Sequence, residues 1–222
     1  MISGTLRVPA TMLESFRLWQ SGDWMPEQEL IETIQGIFVP TPQITLGAAY
    51  GEILQHPDQH RMLWGGYEAR GLQFEESAIE PMLQLIDRRG VFEAKATKPL
   101  DGVTLVAKAD HLYGAHLAEF KSTLATYDAE KYLASVQWRV MSLIFEPQVI
   151  TYRTACLGED RETGKIWGRA IHNMNVYPYA QVEQDVKDLL REFVHYVTLR
   201  KLDGLLRERQ LAAEMKAMEV GR

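Results

Sequence analysis

Leu105-Val106-Ala107-Lys108-Ala109-Asp110 and, beyond a turn at Tyr113-Gly114, Leu117-Ala118-Glu119-Phe120-Lys121 decide how this chain folds. The apolar run ending at Asp110 reads as a strand, and Ala115 to Lys121 as the next strand. Side chains alternate along a strand, so Glu119 and Lys121 point one way and Phe120 the other. A chain folded back at Gly114 brings Asp110 close to Glu119. Two carboxylates and one ammonium then converge at a strand end.

Working outward, Val91 to Thr97 alternates as a strand, and Asp101-Gly102 is a strong hairpin signal that joins it to the strand ending at Asp110. Downstream, the spacing of Tyr132, Val136, Val140 and Leu143 predicts one helix from Asp128 to Phe145, with Gln137 inside it. Val149 to Leu157 is β-rich, and Ile166 to His172 is its expected hairpin partner. Pro178 opens a long helix through Val182, Val186, Leu190 and Phe193, and the charged segment from Lys201 is expected to be helical. Upstream, Thr11-Met12-Leu13-Glu14 reads as a capping box for a helix carrying Leu13 and Phe16. Pro26 starts a second helix and Gln43 to Gln55 forms a third, stopped by His56-Pro57. Residues 60–76 read as loop or short strand, and Ser77 to Asp87 as helix. Helices, a three-strand meander, a helix, a further strand and more helices make an α+β fold with a mixed sheet.

The chain has 222 residues, 46% hydrophobic and 24% charged, ordinary values for a globular protein with a substantial core. One domain over 1–222 is expected, with residues 1–89 as an N-terminal helical region, 90–175 as the core and 176–222 as a C-terminal helical region. Cys156 is the only cysteine, which excludes an intrachain disulfide and a multi-cysteine zinc site. No signal-peptide pattern opens the sequence and no apolar run spans a bilayer, so a cytoplasmic protein without membrane contact is expected. A net charge of −6 argues against a protein that coats nucleic acid electrostatically, yet not against an enzyme that grips it locally. No phosphate-cradling glycine loop suggests a nucleotide-driven motor.

Glu-x-Lys alone means little, because Glu93-Ala94-Lys95 repeats it and reads as a solvated strand face with cross-strand pairing. Context separates the two. Only 119–121 has an aspartate nine positions upstream at the end of an apolar strand and a helix carrying Gln137 behind it. Magnesium takes oxygen ligands and keeps several waters, so Asp110 and Glu119 suffice as protein carboxylates, with the Phe120 carbonyl a candidate to complete the shell. Lys121 beside the metal is suited to orienting the attacking water and stabilising a phosphate.

Asp110…Glu119-x-Lys121 followed by Gln137-Trp138-Arg139 resembles the PD-(D/E)XK nuclease superfamily, in its RecB-like and phage-exonuclease branch. The resemblance is best over 90–157. It implies a restriction-endonuclease-like core, with Asp110, Glu119, Lys121 and Gln137 as catalytic residues and Mg2+ or Mn2+ as cofactor. Met141 stands where the branch has a tyrosine. The branch also carries Gly-x-x-x-His-Glu on an upstream helix. Gly47-Ala48-Ala49-Tyr50-Gly51-Glu52 looks like it, with Gly51 in place of the histidine, which leaves Glu52 as a further metal ligand. His56 and His60 lie near it in sequence, and His111 and His116 flank the core motif. The activity implied is an exonuclease on linear double-stranded DNA, in phage-type recombination or repair. A structure-selective or restriction-like endonuclease and a non-catalytic DNA-binding subunit are the alternatives. A single-strand annealing protein and further copies of the chain are the partners this branch implies. Arg61, Arg70, Arg88, Arg89, Lys131 and Arg139 are candidate phosphate contacts, and Trp64 in its Gly-rich loop is a candidate base-stacking residue.

Overall fold

Hairpin chemistry builds the centre of the molecule. In the computed structural model, which describes residues 5–22, 25–37 and 39–220, Asp101 and Gly102 both adopt positive φ, 46° and 78°. That conformation matches the right-handed twist of the strands they join. The chain begins with β1 (Leu6–Pro9), α1 (Ala10–Gln20), α2 (Glu27–Gln35), α3 (Pro42–Gln55) and the short α4 (Pro57–His60). A small hairpin, β2 (Tyr67–Ala69) and β3 (Leu72–Phe74), precedes α5 (Glu76–Leu83). The long strands β4 (Val91–Leu100), β5 (Val103–Tyr113) and β6 (His116–Thr123) form the expected meander. Next, α6 (Ala129–Ala134) and α7 (Gln137–Phe145) cross over to β7 (Val149–Glu159), which turns back into β8 (Ile166–Val176). Helices α8 (Val182–Leu199) and α9 (Asp203–Val220) come last.

All the strands join one 8-stranded sheet in the order β1-β5-β6-β7-β8-β3-β2, with β4 also paired to β5. The β6–β7 pair is parallel, which is why helices must cross over between them. Strand β5 therefore has three partners. Antiparallel β4 covers one edge almost end to end, from Leu112 to Val103. The other edge is shared: β1 takes Val103 to Val106 in parallel, and β6 takes His111 to Tyr113 in antiparallel. Residues 107–110 on that edge face neither strand, so the sheet has an opening there.

Two apolar cores lie on the two faces. One joins Leu13 and Phe16 of α1, Leu30 and Ile34 of α2, Val140 of α7 and Phe193 of α8 to Leu105, Leu117, Ile150 and Tyr152 of the sheet. The other joins Ala49, Tyr50 and Ile53 of α3 and Ile79 of α5 to Tyr67, Phe74, Ala155 and Leu157. Tyr152 facing one core and Ala155 the other is the alternation of a strand buried on both faces.

Three local expectations are corrected. The helix expected over Asp128–Phe145 is two helices, because Ser135 is extended, with φ −60° and ψ 138°. The capping box at Thr11 does not form: α1 starts at Ala10 after Pro9, with no side-chain cap, and Glu14 bonds elsewhere. Pro178 does not open the long helix, which begins at Val182. Trp24 lies outside the described residues, whereas Trp138 is buried and Trp64 is 79% exposed.

Candidate active site

The opening in the sheet is a fork. Continuing the β5–β6 register from His111 and Ala118 would set Asp110 opposite Glu119, but the backbone ladder stops there. Side chains replace it. The Asp110 backbone N–H donates to Glu119 Oε1 at 3.1 Å, and the Phe120 N–H donates to Asp110 Oδ2 at 2.9 Å. Each carboxylate thus satisfies an amide that strand separation would otherwise leave unpaired. Lys121 donates to Glu119 Oε2 at 3.0 Å and stands 3.9 Å from Asp110 Oδ2.

Exposure separates the two carboxylates. The Glu119 side chain is 3% exposed, against 28% for Asp110 and 31% for Lys121. Glu119 is the deep acid; Asp110 and Lys121 open toward solvent. Burial, and then the neighbouring Asp110 charge, push the Glu119 carboxyl up to about 7. Burial works against the Lys121 ammonium, yet Glu119 and Asp110 outweigh it and hold its proton well above the usual lysine range.

A cavity of about 300 Å³ opens over the fork. Pro9, Ala10 and Thr11 line it from the β1–α1 junction, Lys95 from β4 and Val106, Ala107 and Lys108 from β5. Asp110, Glu119 and Lys121 form its floor, and Gln137 and Met141 of α7 close it on one side. Gln137 holds the first position of α7 because that helix end is clamped. Glu14 Oε2 accepts from the Val136 N–H at 2.6 Å and from Ser135 Oγ at 3.0 Å, and Ser135 Oγ accepts from the Gln137 N–H at 3.1 Å.

Asp110, Glu119, Lys121 and Gln137 are therefore brought together around one cavity. Phe120 joins them through its backbone N–H, while its ring packs toward the opposite core. Glu52 is not brought there. It lies on α3, on the helix that packs against the second core, and Arg70 holds its carboxylate at 2.6 Å. Among the described residues, no group of three or more His, Cys, Asp or Glu could hold a metal ion. Two hard carboxylates with room for water match magnesium or manganese, and lack the third protein ligand that zinc takes.

Of the histidines near the motif, His111 is buried, its ring nitrogen bonded to the Asp87 carbonyl at 2.9 Å, and burial lowers its pKa. His60 pairs with the Glu68 carbonyl. Several candidate phosphate-binding arginines are engaged within the fold: Arg61 with Glu76 and Glu80, Arg88 with the Leu54 carbonyl, Arg89 with Asp87. Glu93 of the second Glu-x-Lys pair adopts φ 54° and binds Lys108 at 2.5 Å, the expected cross-strand pairing. Lys95 departs from the solvated-face reading, because it lines the cavity. Thr11, Glu14, Lys95, Lys108 and Ser135 are site residues that sequence reasoning misses. A serine just before an apolar-periodic segment is a helix-start signal, so Ser135 alone is legible.

No protein-family model matches the sequence, and no curated protein is significantly similar to it. Solved structures are similar in fold. SSO0001 aligns with a TM-score of 0.50 at 12% identity, covering 88% of this chain and 79% of its own. A protein from Eubacterium rectale assigned as an exonuclease aligns with a TM-score of 0.51 at 12% identity, covering 90% and 83%. An alkaline exonuclease from Laribacter hongkongensis, LHK-Exo, aligns over 94% of both chains at 12% identity, with a TM-score of 0.49. The chain shares with the first two of these structures a restriction-endonuclease-like fold, a mixed sheet flanked by helices, as its motif implies.

Proposed function

We propose that this chain is a divalent-metal-dependent nuclease that hydrolyses phosphodiester bonds, acting as an exonuclease on linear double-stranded DNA. The observation that carries the reading is the fork, where two strands part and Asp110, Glu119 and Lys121 face one cavity beside Gln137. The E. rectale structure assigned as an exonuclease, with the same fold, supports it.

Asp110 and Glu119 would hold Mg2+ or Mn2+, with the Phe120 carbonyl available to the same ion. The ion supplies Lewis acidity, lowering the pKa of water and offsetting charge on the transferring phosphorus centre. Lys121, kept protonated by its carboxylate neighbours, orients the attacking water and stabilises the extra negative charge of the transition state. Gln137, fixed at the first turn of α7, can hydrogen-bond water or a phosphate oxygen across the cavity. Lys95, on the cavity wall from β4, places positive charge near an incoming backbone. Trimming of linear ends in phage-type recombination or repair, beside a single-strand annealing protein, is the setting this reading implies.

Purified protein with Mg2+ is expected to degrade linear duplex DNA and to spare covalently closed circles. Lys121→Ala should reduce the rate by at least about 100-fold with an unchanged circular dichroism spectrum. Cleavage of closed circles would instead favour an endonuclease. Undiminished activity in Lys121→Ala would sink the assignment of this site.

A further inference from the structure

Lys121 has a second set of neighbours that its ion pairs do not use. Strands β6 and β7 pair in parallel, with Glu119 beside Tyr152 and Lys121 beside Thr154. Register partners in a parallel pair project to the same face, so both β7 side chains flank the lysine. Both are deeply buried, Tyr152 at 2% exposure and Thr154 at 0%. The Tyr152 hydroxyl and Thr154 Oγ1 have no hydrogen-bond partner of good geometry among the described residues. Ser135 lies near the Tyr152 hydroxyl, but its own proton goes to Glu14. A tyrosine that aims its proton toward Ser135 still keeps a lone pair for another donor.

Orphaned hydroxyls cost stability, so two of them on the strand that flanks Lys121 call for a cause. Lys121 is now held by Glu119 and Asp110, the same carboxylates that suit a divalent ion. Once those oxygens turn to a cation, the ammonium loses its partners and is repelled by the ion. It then needs neutral acceptors within reach. We propose that Tyr152 and Thr154 are positioning residues that accept the Lys121 ammonium when a divalent cation occupies Asp110 and Glu119. Their hydroxyls stand idle in the metal-free fold and hydrogen-bond to Lys121 in the loaded one. Lys121 thereby stays charged and aimed at the cavity rather than competing for the ligands. The inference rests on the metal-dependent reading of the site.

Calorimetric titration of Mn2+ into the full chain tests it. The wild type should bind, and Asp110→Asn should not. Tyr152→Phe and Thr154→Val, singly and together, should unfold at temperatures no lower than the wild type, because each removes an unsatisfied hydroxyl. Together they should weaken Mn2+ binding by about tenfold. In a Lys121→Met background there is no ammonium to relocate, so the same pair should change Mn2+ affinity little. Wild-type affinity in the double variant, or an equal loss in the Lys121→Met background, overturns the proposal while leaving the metal site intact. A wild type that takes up no Mn2+ overturns both this proposal and the metal-dependent reading.

Discussion

Glu119 is a buried acid beside a second carboxylate, and the consequences can be measured without DNA. Its carboxyl titrates near 7, against 4.5 for an ordinary glutamate, chiefly because it is buried. The folded state thus holds this proton more tightly than the unfolded chain does. The resulting stability is fully present below about pH 4.5 and is lost as pH rises through about 7. Metal-free protein is expected to show a falling urea midpoint between about pH 5 and about pH 8 from this group. Glu119→Gln should flatten that slope. Divalent-ion affinity should run the other way, dropping by up to about tenfold for each pH unit below 7, since a ligand carboxyl must first release its proton. Calorimetry across that range would check both signs. The acids and the lysine are legible from alternation and spacing alone, because the groups they bond are two to ten positions apart. Tyr152 and Thr154 are not, since they enter only through the pairing of β6 with β7 across a crossover.

At the scale of elements, the decisive piece is the break between α6 and α7. Apolar periodicity over 128–145 is continuous, and Ser135 is the one local signal that a new helix starts inside it. The interruption is imposed from α1, where Glu14 reaches across 122 positions to the Val136 N–H. The capping-box pattern assigns the same residue to its own helix, four positions of sequence suggesting a bond that the fold spends elsewhere. Removing it leaves the Val136 N–H and the Ser135 hydroxyl buried without an acceptor. Glu14→Ala should therefore lower stability by about 2–3 kcal/mol in urea unfolding. Gln137 should lose its fixed position at the same time, so nuclease activity should fall by more than the unfolded fraction explains. The meander, by contrast, is readable in its order and its turns, although β4 and β5 run on past their expected ends to Leu100 and Tyr113. Its turns at Asp101-Gly102 and Tyr113-Gly114 encode their own geometry, and Gly114 takes the positive φ its turn requires, 57°.

For the molecule as a whole, the sheet places a gap in the middle of its own hydrogen-bond network. β1 and β6 meet β5 on one edge without meeting each other, and helices α1 and α7 stand over the space between. An unpaired strand edge ordinarily invites another chain, and here it is recessed behind two helices and occupied by charged side chains. The far end of β1 is held as well: Gln210 of α9 accepts from the Arg7 N–H and donates to the Arg7 carbonyl, so the C-terminal helix steadies one wall of the cavity. That tie joins residues 203 positions apart and is invisible in the sequence. The fork also gives the protein a built-in indicator. The amide protons of Asp110 and Phe120 are bonded to carboxylates rather than carbonyls, so their magnetic resonance frequencies follow whatever those carboxylates hold. Titration with Mg2+ should move both signals together while those of residues 116–118, in the closed stretch of the ladder, stay nearly still. Immobile signals at 110 and 120 would mean the ion binds elsewhere. Occupancy of the site can thus be followed from the backbone itself, with no label, no substrate and no substitution.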